Sequence, residues 1–215
     1  MNIYTLISDT HFKLFQEYFL PSLNSVEQDF NLIVRKCDQS PCPDGSFFSK
    51  GFAEITKEKV KLIIQGLSDN YLKYILFSDC DIIFNKPFLK EIKSIVEQNP
   101  DKDIFFSQDR EENNKLCAGF MVIKSDFKNL CFFNKVLDLI TDSANDQNVI
   151  NCIRNEIDYF LFPYEIVNNY PNGIWRGEDF ELIDSLIFHA NYTVGVENKV
   201  NLLKYAIQKN SVRTE

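Results

Sequence analysis

Residues 74–84 read Tyr74-Ile75-Leu76-Phe77-Ser78-Asp79-Cys80-Asp81-Ile82-Ile83-Phe84, two carboxylates inside an otherwise apolar run. A strand this apolar reads as buried on both faces, as in a sheet covered on each side. An ionised aspartate in such a place is costly unless a cation or strong donors compensate it, which makes Asp79 and Asp81 candidates for chemistry. Side chains i and i+2 of a strand point the same way, so the two carboxylates would present their oxygens together where the strand leaves the sheet. That arrangement suits a hard divalent cation carrying a phosphorylated substrate.

Outward from this run, apolar strands and amphipathic helices alternate. Residues 2–7 and 30–35 read as strands, separated by a helix over 12–20 that Pro21 stops. Residues 39–52, with Pro41, Pro43 and Gly45, read as a loop. Thr56 is the expected N-cap of a helix whose Val60, Ile63, Ile64 and Leu67 recur at helical spacing and which feeds the strand of Asp79. Pro87 opens the next helix, with Leu89, Ile92, Ile95 and Val96 inward and Asn99-Pro100 at its end. Strands are expected over 103–107, 116–123, 159–162 and 186–190, a helix over 127–140, and another capped by Asn145 and running to Ile153. Residues 169–179 read as polar and irregular. The alternation predicts an α/β sandwich with a mostly parallel sheet, whose ligands sit beyond the carboxyl ends of the strands. No repeat or linker divides residues 1–215, so one domain is expected.

The 215 residues are 45% hydrophobic and include 20 Phe and 9 Tyr, enough for a substantial core. A net charge of −8 argues against a nucleic-acid groove or an anionic membrane as the main partner. Asp9, His11 and Lys13 interrupt the first apolar segment too early for a signal peptide, and no apolar run reaches the ~20 residues of a membrane span, so the chain reads as cytoplasmic. The six cysteines (37, 42, 80, 117, 131 and 152) form no C-x-x-C pair and read as reduced, packed thiols rather than a disulfide framework or a zinc site.

Ser8-Asp9-Thr10-His11 follows the first strand, and an Asp-x-His there is how many binuclear metallophosphoesterases begin. Such sites draw on several further histidines, and this chain has only His11 and His189. Asp9 or Thr10 then reads as a helix cap, or Ser8 and Asp9 line a ligand pocket.

The order of these features resembles the nucleotide-diphospho-sugar transferases, glycosyltransferases with the GT-A fold. The family's D-x-D closing an apolar strand is similar to Asp79 and Asp81. Its threonine and lysine before that strand look like Thr56 and Lys59, its Gly-Phe-Met segment like Gly119-Phe120-Met121, and its Asp-Gln pair like Asp146-Gln147. Its late His, Gly and Lys look like His189, Gly195 and Lys199. The resemblance implies a Rossmann-like three-layer sandwich and a hexosyltransferase-like reaction from a UDP- or GDP-sugar to a glycan hydroxyl. It implies Mn²⁺ or Mg²⁺ on Asp79, Asp81 and His189, Lys199 and Lys59 beside the phosphates, the nucleobase near Thr5, Ser8 and Asp9, and the donor sugar held by Asp109, Asp146 and Gln147, with Gly119 and Gly195 in the pocket wall.

Trp175-Arg176-Gly177-Glu178-Asp179 resembles a Trp-Gly-Gly-Glu-Asp segment of some inverting galactosyltransferases, which would make Asp179 the base toward the acceptor; an Asn172-Gly173 turn offers the plain alternative of a surface loop. Asp146 is the other candidate base, and in a retaining route the departing phosphate takes that part. Two rival readings remain: a nucleotidyltransferase that makes activated sugars, against which stands the lack of a Gly-rich loop after the first strand, and a non-catalytic nucleotide- or carbohydrate-binding module.

Overall fold

In the computed structural model, which describes residues 1–43, 49–109, 114–170 and 174–213, with side chains through Asn210, Ile75 and Phe77 face one hydrophobic core and Leu76 faces another. Gly45 and the Asn172-Gly173 pair lie outside the described residues. In chain order the elements are β1 (Asn2–Ile7), α1 (Phe12–Leu14), a π-helical turn (Phe15–Phe19), α2 (Leu20–Val26), β2 (Asn31–Lys36), α3 (Phe52–Asp69), β3 (Tyr74–Ser78) and β4 (Ile82–Phe84). There follow α4 (Leu89–Gln98), β5 (Ile104–Gln108), β6 (Leu116–Lys124), α5 (Phe127–Leu139), α6 (Asp146–Ile153), a 3₁₀ turn (Arg154–Glu156), β7 (Tyr159–Leu161), β8 (Val167–Asn169), β9 (Ile187–His189) and α7 (Val196–Arg213).

Six strands form the main sheet in the order β2-β1-β3-β6-β5-β7, and three form a second sheet in the order β4-β9-β8. In the main sheet β6 alone runs against the others, so the sheet is mostly parallel, as expected. Alternation sorts the side chains: Tyr4, Ile75, Phe77, Ile104, Phe106, Met121 and Ile123 pack under α3, α5 and α6, whereas Ile3, Leu76, Phe105, Phe120 and Val122 pack against Phe19, Leu23, Ile92 and Val96 of α2, α4 and the π turn. A third cluster places Leu202, Leu203 and Ala206 of α7 against Ile83 and Phe188 of the second sheet. The result is the expected three-layer α/β sandwich. Much of the phenylalanine is core, with ring contacts such as Phe84–Phe88 at 4.8 Å and Phe105–Phe160 at 5.7 Å.

Several local expectations are corrected. Pro21 does not stop the first helix. The π turn closes with Leu20 N–H donating to Phe15 O, and this widened turn makes room for a proline at the head of α2. Thr56 is no cap: α3 starts one turn earlier after Gly51, and the Thr56 hydroxyl donates to Ala53 O inside the helix. At α4, Pro87 precedes rather than opens the helix, and the Glu27 carboxylate accepts from Phe88 N (2.6 Å) and Leu89 N (2.7 Å), a cap supplied from a distant segment. Strand β8 and helix α7 add to the elements expected from the sequence. Four cysteines are buried as expected, but Cys131 and Cys152 sit on the exposed faces of α5 and α6, and all six are free thiols. Among the described residues no helix is long and apolar enough to cross a membrane.

Candidate active site

The run of residues 74–84 is not one strand. It leaves the main sheet after Ser78 and joins the second sheet at Ile82, so Asp79-Cys80-Asp81 is the crossing between two sheets. Asp79 N donates to Gly119 O of β6 at 2.7 Å, and Asp81 O accepts from Ala190 N, just beyond β9, at 2.9 Å. Each aspartate is thus anchored to a different sheet. The antiparallel register of β4 and β9 pairs Ile82 with His189, which brings the imidazole beside Asp81. One ligand atom each from Asp79, Asp81 and His189 lie within 4.8 Å of one another.

Two lysines close the charge. Lys199, in the first turns of α7 after Gly195 (φ 86), reaches Asp81 Oδ2 at 2.5 Å, and Lys59 of α3 lies 3.1 Å from Asp79 and 3.0 Å from Asp146. Burial works against charge on Asp81, but Lys199 and His189 outweigh it and hold its carboxyl well below the usual carboxylate range. Asp79 moves the other way: burial raises it, and Lys59 only partly offsets this. Burial likewise opposes the charge on Lys59, yet Asp146 and Asp79 raise its pKa.

These groups line a cavity of about 750 Å³ beyond the carboxyl ends of β1 and β3. Helix α6, capped by Asn145 as expected, docks on β6 there. Its Gln147 Oε1 accepts from Ala118 N, and Asn151 takes both the N–H and the C=O of Leu116, so side chains satisfy backbone groups of β6 beyond the last rung of its pairing with β3. Gln147 Nε2 donates to Asp109 Oδ1, which also accepts from Asn191, while Tyr192 OH donates to Asp109 Oδ2. Asp109 therefore ties the segment after β9 to the end of β5.

Of the residues singled out from sequence, the cavity brings together Ser8, Lys59, Asp79, Asp81, Asp109, Gly119, Asp146, Gln147, His189, Gly195 and Lys199. It does not bring in three others. Thr5 is fully buried within β1, Asp9 is exposed and pairs with Lys36, and Asp179 is 85% exposed and 3.5 Å from Lys209. Asp179 faces outward because the preceding loop closes on itself: Trp175 Nε1 donates to Glu178 O, and the Glu178 carboxylate accepts from Tyr170 OH and Arg176 N. The base role expected for it has no support in this placement.

His11, set aside with the phosphoesterase reading, is in the wall. Its Nδ1 lies 3.1 Å from Ser8 Oγ and 2.9 Å from Thr10 Oγ1, and burial together with the positive Lys199, against a smaller opposing effect of Asp81, lowers its pKa to about 4. A histidine held neutral in the fold stabilises above its unfolded pKa and loses that contribution as pH falls. Metal-free protein should therefore lose up to about 3 kcal/mol on this account between pH 6.5 and pH 4. Urea unfolding of wild type and His11→Asn at both pH values checks this, and identical pH slopes would refute it. His189 acts in the opposite sense. Although burial lowers its pKa, Asp81 raises it to about 10, so its contribution is complete below about 6.5 and fades as pH climbs toward 10.

The donor set fits a divalent cation. Asp81 Oδ1 is buried and 3.2 Å from His189 Nε2, an ion-pair distance, yet has no aligned hydrogen-bond donor. A buried carboxylate oxygen left without a donor beside a second carboxylate and an imidazole nitrogen is what an oxygen- and nitrogen-binding ion requires.

A sequence profile for nucleotide-diphospho-sugar transferases matches residues 22–203. Over 108 residues, 47% of this chain, the sequence is 27% identical to a UDP-galactose:fucoside alpha-3-galactosyltransferase of Dictyostelium discoideum, a match that spans 16% of that longer protein. The fold is similar to that of a glycosyltransferase involved in glycosylation of the major capsid of PBCV-1 (TM-score 0.62, 12% identity, 95% of this chain and 100% of that one). It is also similar to mouse xyloside xylosyltransferase 1 (TM-score 0.56, 11% identity, 89% and 98%). With the profile spanning most of the sequence, from α2 to α7, and a paired-aspartate site at the crossing of two sheets, the chain belongs to the nucleotide-diphospho-sugar transferase family.

Proposed function

We propose that this chain moves a hexose from a nucleoside-diphosphate sugar to a hydroxyl of a glycan or glycoconjugate, with Mn²⁺ or Mg²⁺ held by Asp79, Asp81 and His189. The observation that carries the reading is the convergence of these three side chains, one with a buried oxygen lacking a donor, on a cavity that also contains Lys59 and Lys199. The substrate in the Dictyostelium relative's name favours UDP over GDP as the donor nucleotide. One catalytic domain is the matching organisation, supported by a main sheet that draws on residues 2 to 161 and a cavity wall that draws on residues 6 to 199.

Breaking the bond between anomeric carbon and phosphate leaves negative charge on the diphosphate and oxocarbenium-like character on the sugar. A bound divalent ion supplies Lewis-acid neutralisation of that departing charge. Lys199 and Lys59 add fixed, largely buried cations, and charges so placed act more strongly than in bulk water. Ser8 and His11, just after β1, line the cavity and would face the nucleobase, and Asp109, Asp146 and Gln147, also in its wall, would hold the sugar hydroxyls. Of the two candidate bases Asp146 lines the cavity, paired with Lys59, while a retaining route leaves proton removal to the departing phosphate.

Thermal unfolding across a panel of nucleotide sugars, with and without Mn²⁺, tests the reading. The true donor at about 100 times its Kd should stabilise the fold by about 2.7 kcal/mol, and chelator should remove the gain. A chain that binds without hydrolysing or transferring any sugar would be a binding module, and donor stabilisation undiminished in excess chelator would end the metal assignment.

A further inference from the structure

The ring of His189 is held from two sides by β6. Cys117 Sγ lies 3.7 Å from Nδ1, the nitrogen turned away from Asp81, and Asn191 Nδ2 approaches the same sulfur at 3.6 Å. Below the ring is Gly119: a Cβ there would stand 2.1 Å from His189 Cε1 and 2.9 Å from each ring nitrogen, far inside van der Waals contact. The backbone is shaped for this. Between β5 and β6 the pairing steps from Phe106–Met121 to Ser107–Cys117, leaving residues 118–120 unopposed on that side, while Gly119 O still holds Asp79 N on the other. A glycine in a bulge is a common way for a strand to admit a close neighbour, and here the neighbour is an imidazole.

We infer that Cys117 and Gly119 form a cradle that positions His189, the thiol sulfur accepting from Nδ1–H and the bare Cα admitting the ring, so that Nε2 is turned to the aspartate pair. Histidine ligands of metals usually give their second ring N–H to a carboxylate, carbonyl or water; here a cysteine sulfur takes that place. Cys117 is thus a positioning residue, not a ligand, and its role toward the cation rests on the proposed metal site.

The test compares Mn²⁺ affinity, read from the free-ion EPR signal without any turnover, in wild type, Cys117→Ala, Cys117→Ser and Gly119→Ala. Alanine at 117 should weaken Mn²⁺ binding by about tenfold, and Gly119→Ala by at least that much. Serine, which keeps an acceptor, should recover most of the loss. If the thiol served only as apolar filling, alanine would bind Mn²⁺ as well as serine or better, and that order overturns the inference, as does unchanged affinity in Gly119→Ala.

A second readout needs no metal. The chain has two histidines, so imidazole ¹⁵N–¹H correlation spectra contain two ring systems. Cys117→Ala should move the Nδ1 resonance of His189 and leave that of His11 in place; an unmoved Nδ1 refutes the cradle. Wild type that binds no Mn²⁺ but shows the Nδ1 shift on mutation would fail the metal reading and leave the cradle standing. Should the alanine variant not fold, the serine variant and Gly119→Ala decide by the same measurements.

Discussion

Asp81→Asn is expected to lower sugar transfer by at least about a thousandfold while the purified protein still folds. The amide is nearly isosteric with the carboxylate but cannot balance the two groups now facing it, Lys199 at 2.5 Å and His189 at 3.2 Å. Two effects coincide. The proposed cation loses a charged ligand, and Lys199 loses its buried partner. Truncating one member of a buried charge cluster costs about 3–5 kcal/mol, so some loss of stability accompanies the loss of activity. Mn²⁺ titration and transfer of a labelled sugar read the two effects separately. Ordinary turnover by a folded Asp81→Asn protein would remove the basis of the mechanism.

Lys59→Met should be the most destabilising single lysine replacement in α3. Lys57, Lys59 and Lys61 look alike in the sequence, but Lys57 and Lys61 make exposed pairs with Glu54 and Glu58 on their own helix, whereas Lys59 is buried between Asp79 and Asp146. Removing the exposed pairs should change stability by no more than about 0.5 kcal/mol each. Removing Lys59 leaves two carboxylates without their cation, Asp146 Oδ2 already lacking an aligned donor, for about 3–5 kcal/mol and a fall in Tm of about 10 °C. Added Mn²⁺ should restore more Tm in this variant than it adds to wild type, because an ion on Asp79 replaces part of the missing positive charge. Equal Tm for the three lysine variants would show that the buried pairs contribute nothing.

What was legible in the sequence followed from periodicity. Strands β1, β3, β5 and β6 announce themselves as apolar runs, and α5 and α6 carry helical spacing with asparagine or aspartate at the cap. What was not legible came from contacts between distant segments. The two aspartates mark where the first strand leaves its sheet, but nothing local shows that residues 82–84 join a second one, since both halves are equally apolar and only the partners, β6 and β9, differ. Thr56 has the chemistry of a cap but lies one turn inside α3, and the true cap of α4 is Glu27, some sixty residues earlier in the chain. His11 joined the cavity although the motif that drew attention to it was discarded for want of further histidines. Asp179 is the reverse case: its neighbours fit a motif, yet it is exposed and outside the cavity wall, in a loop whose own hydrogen bonds run through Trp175, Arg176 and Glu178.

Because Asp79 is fastened to β6 and Asp81 to the residue after β9, a ligand that draws the two carboxylates together also braces one sheet against the other. Its grip would be felt well away from the cavity, as slower amide hydrogen exchange along β4 and β9, whose own ladder has only three paired positions. The small sheet would then serve as a strain gauge for occupancy, stiffening when the pair is bridged and loosening when it is released.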